Sequence, residues 1–518
     1  MILAVDVGTT ALKAALVDRG RVLAAASRAY ATHAPGTGAA EQDPDDWCAA
    51  LTAVVADLLA HPAWSDVEAI ALTGQMQTLV LAEETAAGSG PAGADPARAG
   101  HRAPCTGRAV LYSDTRAAAE ADEIRRAVPD WDEITGNLQG PTANPAQWLR
   151  LESTREPATD TGAVRRVFFS PAGLLAWMLG GDAHCDVTTA SATGLLDART
   201  RTWSEAIARA AHLPMGVLPA VGGGDIGTVT TEGESRFGVP AGLRIHLAPG
   251  DAAAATLGIV GGSDGPTEYI SLGTSGWVAS IQPLGAAPAR PEAEHALLLD
   301  PPLDQHVLRI GALLSAGDTA AWARRTLLGG ASPQEADALL EARLDATGCT
   351  PSGLLALPSL RGERFPVRAD RIGAAIIGMR PDTDQVTMYQ AVLESVGLAL
   401  ANALPPSGAA DEQSPEAALL PVVGGGAASR PWMRLIAAIT GRDALPATAA
   451  DAALLGAALA AGDARREDPV RDAAAGERAD GASADVIPAP AGRDHRWDVL
   501  RARQLELFRA VAALSDEM

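Results

Sequence analysis

A single lysine, Lys13, occurs among 518 residues, and arginine supplies every other fixed side-chain cation. We read this as composition, in keeping with the alanine richness of the chain, rather than as a functional device. Basic residues number 41 against 63 acidic ones, giving a formal net charge of −22. Such a balance argues against nucleic acid as a partner, because phosphate backbones are held by basic surface. It leaves a nucleotide open, since backbone N–H groups and a divalent cation can hold a triphosphate without a basic patch. The four cysteines, Cys48, Cys105, Cys185 and Cys349, lie far apart and form no C-x-x-C pair. Neither a disulfide framework nor a thiolate metal centre is expected, and the pattern suits a reducing compartment. Nine histidines without H-x-x-x-H spacing make a zinc centre improbable. No apolar run has the length of a membrane span, and the N-terminus carries an acid at Asp6 instead of a basic leader. A cytoplasmic protein with no membrane partner is the expectation. Neither G-x-x-x-x-G-K-[ST] nor a G-x-G-x-x-G between first strand and helix is present, so the P-loop and Rossmann readings fall away. Tryptophans, ten in number, exceed the five phenylalanines and read as core or wall residues.

The chain is too long for one comfortable core, which predicts two domains. ILAVDV and ALKAALVD read as strands joined by Gly8-Thr9-Thr10, and RVLAAASRAY follows as a third. DPDDWCAALTAVVADLLA has helical periodicity with Asp43 or Asp45 as cap, and VEAIALTG is a strand running into Gln75-Met76-Gln77. Residues 85–107, 405–418 and 465–493 are polar or Gly/Ala/Pro-rich and read as surface excursions, the last as a flexible segment. Residues 494–518 predict a closing amphipathic helix. TEYISLGTSGWVASI (267–281) repeats the opening: strand, Gly273-Thr274-Ser275, strand. Between the copies, HLAPGDAAAATLG is a short apolar strand passing through Gly250-Asp251 into an alanine-rich helix. The expected domains are therefore 1–244 and 245–464, each with one hairpin, the two facing each other across a cleft.

A hairpin turn of glycine and hydroxyl residues suits phosphate, because glycine admits an anion to the backbone and the neighbouring N–H and O–H groups donate to it. Asp6 at the strand end could hold Mg²⁺. A polar turn with no ligand is about as good a reading of DVGTT alone, and the second copy weakens it. Asp251 could project as a base, although local sequence favours a helix cap. In VVGGGAASRPWMRLIAAITG a triple glycine between strand and helix suits either a nucleotide or a tight crossover.

The ordered set of motifs resembles the FGGY carbohydrate kinase family. AVDVGTTALKAALVD is similar to its first phosphate motif, LTGQMQ to the substrate loop and LYSDTRA to the W-x-D-x-R segment. APGDAAAATLG is similar to the catalytic segment, SLGTSGWVAS to the second phosphate motif and VVGGGAASRPWMRLIAAITG to the adenosine motif. LPSLRGERFPVRADRIGAAIIGM resembles the L-x-G-E-R-x-P stretch. The resemblance implies an α/β fold of two actin-like (ribonuclease H-like) domains with a nucleotide cleft between them, ATP and Mg²⁺ as cofactors, and a small sugar as substrate. It implies Asp251 as proton acceptor and Asp6 as the acid handling metal and phosphate. Gly8, Thr9, Thr10, Gly273, Thr274 and Ser275 become the phosphate clamps, and Gly317, Gly425, Gly426 and Ala427 line the nucleotide. Gln75, Met76 and Gln77 contact the sugar together with Asp251.

Within the family the loop is most similar to that of the xylulokinases, which reads Gly-Gln-Met-His. The expectation is an ATP-dependent kinase making D-xylulose 5-phosphate from D-xylulose. Gln77 stands where that subgroup has histidine, which keeps a gluconate, ribulose or other polyol kinase as the alternative. A non-catalytic actin-like nucleotide sensor is a third reading, disfavoured by Asp251, and a homodimer is carried as the candidate assembly.

Overall fold

The computed structural model describes residues 1–85, 102–104, 107–154, 163–261, 267–286, 293–404, 419–447, 450–463, 486–492 and 494–516. Cys105, the 405–418 excursion and all of 465–493 except 486–492 lie outside the described residues. The chain forms two compact units. The first comprises the described residues among Met1–Gly258, Ala296–Val307 and Asp451–Arg466, and the second the remainder.

In the first unit, β1 (Ile2–Val7) and β2 (Ala11–Asp18) form an antiparallel hairpin that pairs Asp6 with Lys13. Strand β3 (Arg21–Ala29) adds antiparallel to β2. On the other side, β4 (Ala69–Gly74) runs parallel to β1, and β6 (Arg244–Leu247) parallel to β4. An antiparallel edge strand, β5 (Gly224–Thr228), completes the order β5-β6-β4-β1-β2-β3. Strand β1 is apolar on both faces because both are covered. Leu3, Val5 and Val7 pack with Leu51 and Val54 of helix α1 (Pro44–Leu58) and with Trp177. Ile2 and Ala4, with Ala15, Val17, Ala69 and Ala71, instead meet Leu454, Ala457 and Ala458 of the helix Ala452–Ala460. Asp43 caps α1 by accepting from the Asp45 amide at 3.0 Å.

Just beyond the helix Ala452–Ala460, both oxygens of Asp463 accept the Arg19 and Gly20 amides, at 2.8 and 2.7 Å, in the turn between β2 and β3. The first unit thus runs past Arg244. Residues 244–247 are an interior strand of the first sheet, and residues 451–463 return to cover it. Local sequence cannot show this, since Arg244–Leu247 pair with Ala69–Leu72 far upstream. Part of the 85–107 excursion is also a strand: Arg102–Pro104 pairs with Val80–Thr85, and its arginine donates to the Trp177 and Gly181 carbonyls.

The second unit repeats the plan. Strands β7 (Glu268–Leu272) and β8 (Gly276–Pro283) form the hairpin. Next to β8 lies β9 (His306–Leu313), while β10 (Leu419–Val423) is parallel to β7 and β11 (Asp443–Pro446) parallel to β10. The run β9-β8-β7-β10-β11 therefore matches β3-β2-β1-β4-β6. The closing helix spans Arg496–Asp516 and buries Trp497 and Phe508. Trp47, Trp131 and Trp177 are likewise fully buried, so the core reading of these tryptophans holds.

Candidate active site

The first glycine-threonine turn is held from below. Gly8 donates its amide to Ala11 O at 3.1 Å, and the Tyr30 hydroxyl donates to Gly8 O. Gln42, wholly buried, donates from Nε2 to Thr9 O at 2.6 Å and to Thr32 Oγ1 at 2.9 Å. Its Oε1 accepts from Trp47 Nε1 at 3.1 Å and Gln75 Nε2 at 2.7 Å. One side chain thus ties the Gly8-Thr9-Thr10 turn to the Gln75-Met76-Gln77 loop. It is in turn placed by Asp114, which accepts the Ala40 amide, and by Arg116, which bridges Asp114 and Glu41. Gln42 carried no signal in the sequence beyond its place after the third strand. Gln42→Leu keeps the volume but leaves the Thr9 carbonyl, the Trp47 N–H and the Gln75 amide unpaired. It is expected to destabilise the first unit by about 1–3 kcal/mol per buried unpaired group at most, read as a fall in melting temperature, and to raise KM for ATP.

Asp6 sits at the end of β1 with Oδ1 buried and without a hydrogen-bond partner. Burial pushes its carboxyl up to about 6, against the pull of Lys13. An orphaned carboxylate oxygen beside a glycine turn fits a hard divalent cation. Among the described residues no group of three or more His, Cys, Asp or Glu could cage a metal. The donor set suits Mg²⁺, which binds through one or two carboxylates and substrate phosphates.

Asp251 is the first residue of helix α3 (Asp251–Val260), whose opening amides, Ala253 and Ala254, donate to Gly250 O. Its carboxyl is pushed up to about 7, first by burial, then by the negative charge of Asp6, with a smaller contribution from Asp186. The Met76 side chain packs on Gly250 so closely that a Cβ there would fall 2.4 Å from Met76 Cγ and Sδ. The Gln75-Met76-Gln77 loop and the segment entering Asp251 therefore meet. Gln75 donates its amide to Val7 O at 3.0 Å and leaves Oε1 buried without a partner. Gln77 adopts φ +57°, a left-handed conformation that a side-chain-bearing residue holds only under constraint. The constraint is visible: Gln77 Nε2 donates to Thr142 O at 3.3 Å, and its carbonyl accepts from Asn144 Nδ2 at 3.1 Å. Thr10 is exposed at the turn tip.

In the second unit the remaining motifs converge. Helix α4 (Gly317–Leu327) begins on the Gly273-Thr274-Ser275 turn: the Gly317 amide donates to Gly273 O at 2.8 Å, and the Ala316 and Asp318 amides to Thr274 O. A Cβ on Gly317 would stand 2.4 Å from Gly273 O, so only glycine fits. Gly424, at φ +92°, lays the next turn against the same strand end, where a Cβ would be 2.7 Å from Leu272 O. The turn Gly425–Ala428 follows, with Ala427 donating to Gly424 O, and Ser429 then caps helix α5 (Arg430–Thr440). The positions 273–275, 317 and 425–427 thus form one glycine-built surface.

Twice-used strand order and glycine turns at equivalent strand ends define a two-domain actin-like fold of the carbohydrate kinase class. The chain belongs to the FGGY family of carbohydrate kinases: the family's N-terminal domain matches residues 1–89 and 103–258, and its C-terminal domain matches residues 268–464. It is 30% identical over 494 residues to a xylulose kinase of Streptomyces rubiginosus, covering 93% of this chain and 92% of that one. It is 28% identical over 446 residues to a xylulose kinase of Klebsiella pneumoniae, covering 85% of each. A solved xyloylose kinase from Brucella ovis superimposes with a TM-score of 0.73 at 26% identity over 99% of both chains. The protein is accordingly an ATP-dependent sugar kinase. Among the described residues no helix is long and apolar enough to cross a membrane.

Proposed function

We propose that this kinase phosphorylates D-xylulose at its terminal primary hydroxyl, giving D-xylulose 5-phosphate and ADP. The packing of Met76 on Gly250, the residue before Asp251, is the observation that carries the reading. The likeness to the xylulose kinases of Streptomyces rubiginosus and Klebsiella pneumoniae supports the choice of sugar. Asp251 takes the proton of the C5 hydroxyl as that oxygen bonds to the γ-phosphorus. The bond from the γ-phosphorus to the bridging oxygen breaks, and the electron pair leaves on ADP. Thr9 and Thr10, and likewise Thr274 and Ser275, donate to phosphate oxygens, with Gly8 and Gly273 leaving the backbone open to the anion. Gly317, Gly425, Gly426 and Ala427 line the adenosine. Asp6 would hold Mg²⁺, which when bound offsets negative charge on the phosphates.

A panel of D-xylulose, D-ribulose, gluconate and glycerol, assayed with ATP by ADP release, tests the sugar. The highest kcat/KM is expected for D-xylulose; a strong preference for gluconate or ribulose would replace it. Gln77 is the specific reason to keep that second reading, since its side-chain N–H donates to Thr142 O. Gln77→His is expected to change the sugar KM by about tenfold while leaving the ATP KM unchanged. A base must be ionised to act. With Asp251 at about 7, kcat/KM is expected to fall on the acid side with an apparent pKa near that value, as a pH–rate profile would show.

A further inference from the structure

The segment leading into Asp251 is tied down residue by residue. Ala248 donates its amide to Leu72 O at 2.9 Å, and Thr73 Oγ1 donates to Pro249 O at 2.6 Å. The Gly250 amide donates to Asp186 Oδ1 at 2.9 Å. Asp186 is only 2% exposed and caps the short helix α2 (Val187–Ala192), the same Oδ1 accepting the Thr189 amide at 2.8 Å. Met76 and Thr189 close on Gly250 from two sides, so that a Cβ there would stand 2.4 Å from Met76 Sδ and 2.8 Å from Thr189 Oγ1.

A serine or asparagine would cap α2 equally well. The chain instead buries a carboxylate whose neighbours include Asp300 and Asp251, both acidic, and the thiol of Cys185. Asp300 is itself held by the Val187 and Gly223 amides, at 3.1 and 2.7 Å. Keeping an acid among acids is unfavourable unless its oxygen is used, and here two backbone N–H groups converge on that one oxygen.

We propose that Asp186 is the positioning residue of the catalytic carboxylate. By accepting the Gly250 amide it fixes the peptide that enters Asp251, and so sets the direction from which that carboxylate addresses the acceptor hydroxyl. This rests on the reading of Asp251 as base. Asp186 works through the Gly250 peptide, and so acts on turnover rather than on binding.

The test compares Asp186→Ala and Asp186→Asn with the parent enzyme in steady-state assays, alongside Asp251→Asn. Asp186→Ala is expected to lower kcat by about 100-fold with the KM values for sugar and ATP within about twofold, the behaviour of a misdirected group. Asp186→Asn retains an oxygen that can accept both amides, and is expected to recover kcat to within about tenfold of the parent. The proposal is overturned if Asp186→Ala keeps kcat within about threefold of the parent. It is equally overturned if both variants lose activity together with their melting temperature. Loss of activity in Asp251→Asn but not in Asp186→Ala removes the positioning role alone. Full activity in Asp251→Asn removes the base assignment and this inference with it.

Discussion

Asp251→Asn is expected to lower kcat by about 10²–10⁴-fold while the protein stays folded and, above neutral pH, becomes harder to melt. The loss follows from chemistry, since asparagine nearly preserves the shape but cannot take the proton of the acceptor hydroxyl. The gain follows from the field around the residue. Burial and the Asp6 charge push the folded Asp251 carboxyl from its ordinary 3.8 up to about 7. A carboxyl raised on folding contributes stability that is fully present below its unfolded value and lost as pH rises through the folded one. Between about pH 4 and 7 the native state therefore loses that contribution, and at pH 8 the ionised Asp251 opposes folding. The melting temperature of Asp251→Asn should exceed that of the parent at pH 8, with the gap closing towards pH 4, as scanning calorimetry can follow. Sugar-dependent ADP release within about tenfold of the parent would remove Asp251 from the base role.

Gly456→Ala and Gly258→Ala are expected to abolish stable folding of the first unit. Alanine for glycine inside a helix ordinarily stabilises by about 0.5–1 kcal/mol, so the sign here is reversed. The reason is the crossing of α3 with the helix Ala452–Ala460. A Cβ on Gly258 would lie 1.8 Å from Ala452 O, and one on Gly456 1.7 Å from Ala254 O. Backbone meets backbone at both places, and no side chain can rotate away. The helices would have to separate, pulling Leu454, Ala457 and Ala458 off the alanine-lined face of the sheet. Overpacking of this kind exceeds the about 1–3 kcal/mol typical of an added methylene. Soluble yield and thermal melting check it: a variant melting within a few degrees of the parent would show that the crossing can yield.

What could be read beforehand divides along one line. Local chemistry was legible. The two hairpins, the α1 cap at Asp43, the closing helix, and the glycine turns at 8–10, 273–275 and 425–427 each carry their signal within a few residues. Long-range pairing was not. The place of Arg244–Leu247 inside the first sheet depends on residues 69–72, and the return of residues 451–463 depends on Ile2, Ala15 and Ala69. The site divides in the same way. Asp6, Asp251 and the Gln75-Met76-Gln77 loop were marked by motif, whereas Gln42 and Asp186 hydrogen-bond backbone groups remote in sequence. The run Asp186-Val187-Thr188-Thr189 does carry a helix-cap signature, but nothing near it points to Gly250.

The Asp463 carboxylate on the Arg19 and Gly20 amides has a consequence for biosynthesis. The opening hairpin leaves the ribosome almost at once, yet its last clasp, Asp463, is encoded 443 residues after Gly20. At about 5–20 residues per second, translation leaves the alanine face of β1, β2 and β4 uncovered for tens of seconds. Arrested nascent chains ending before residue 451 should bind holdase chaperones through that face, and chains released after residue 463 should not.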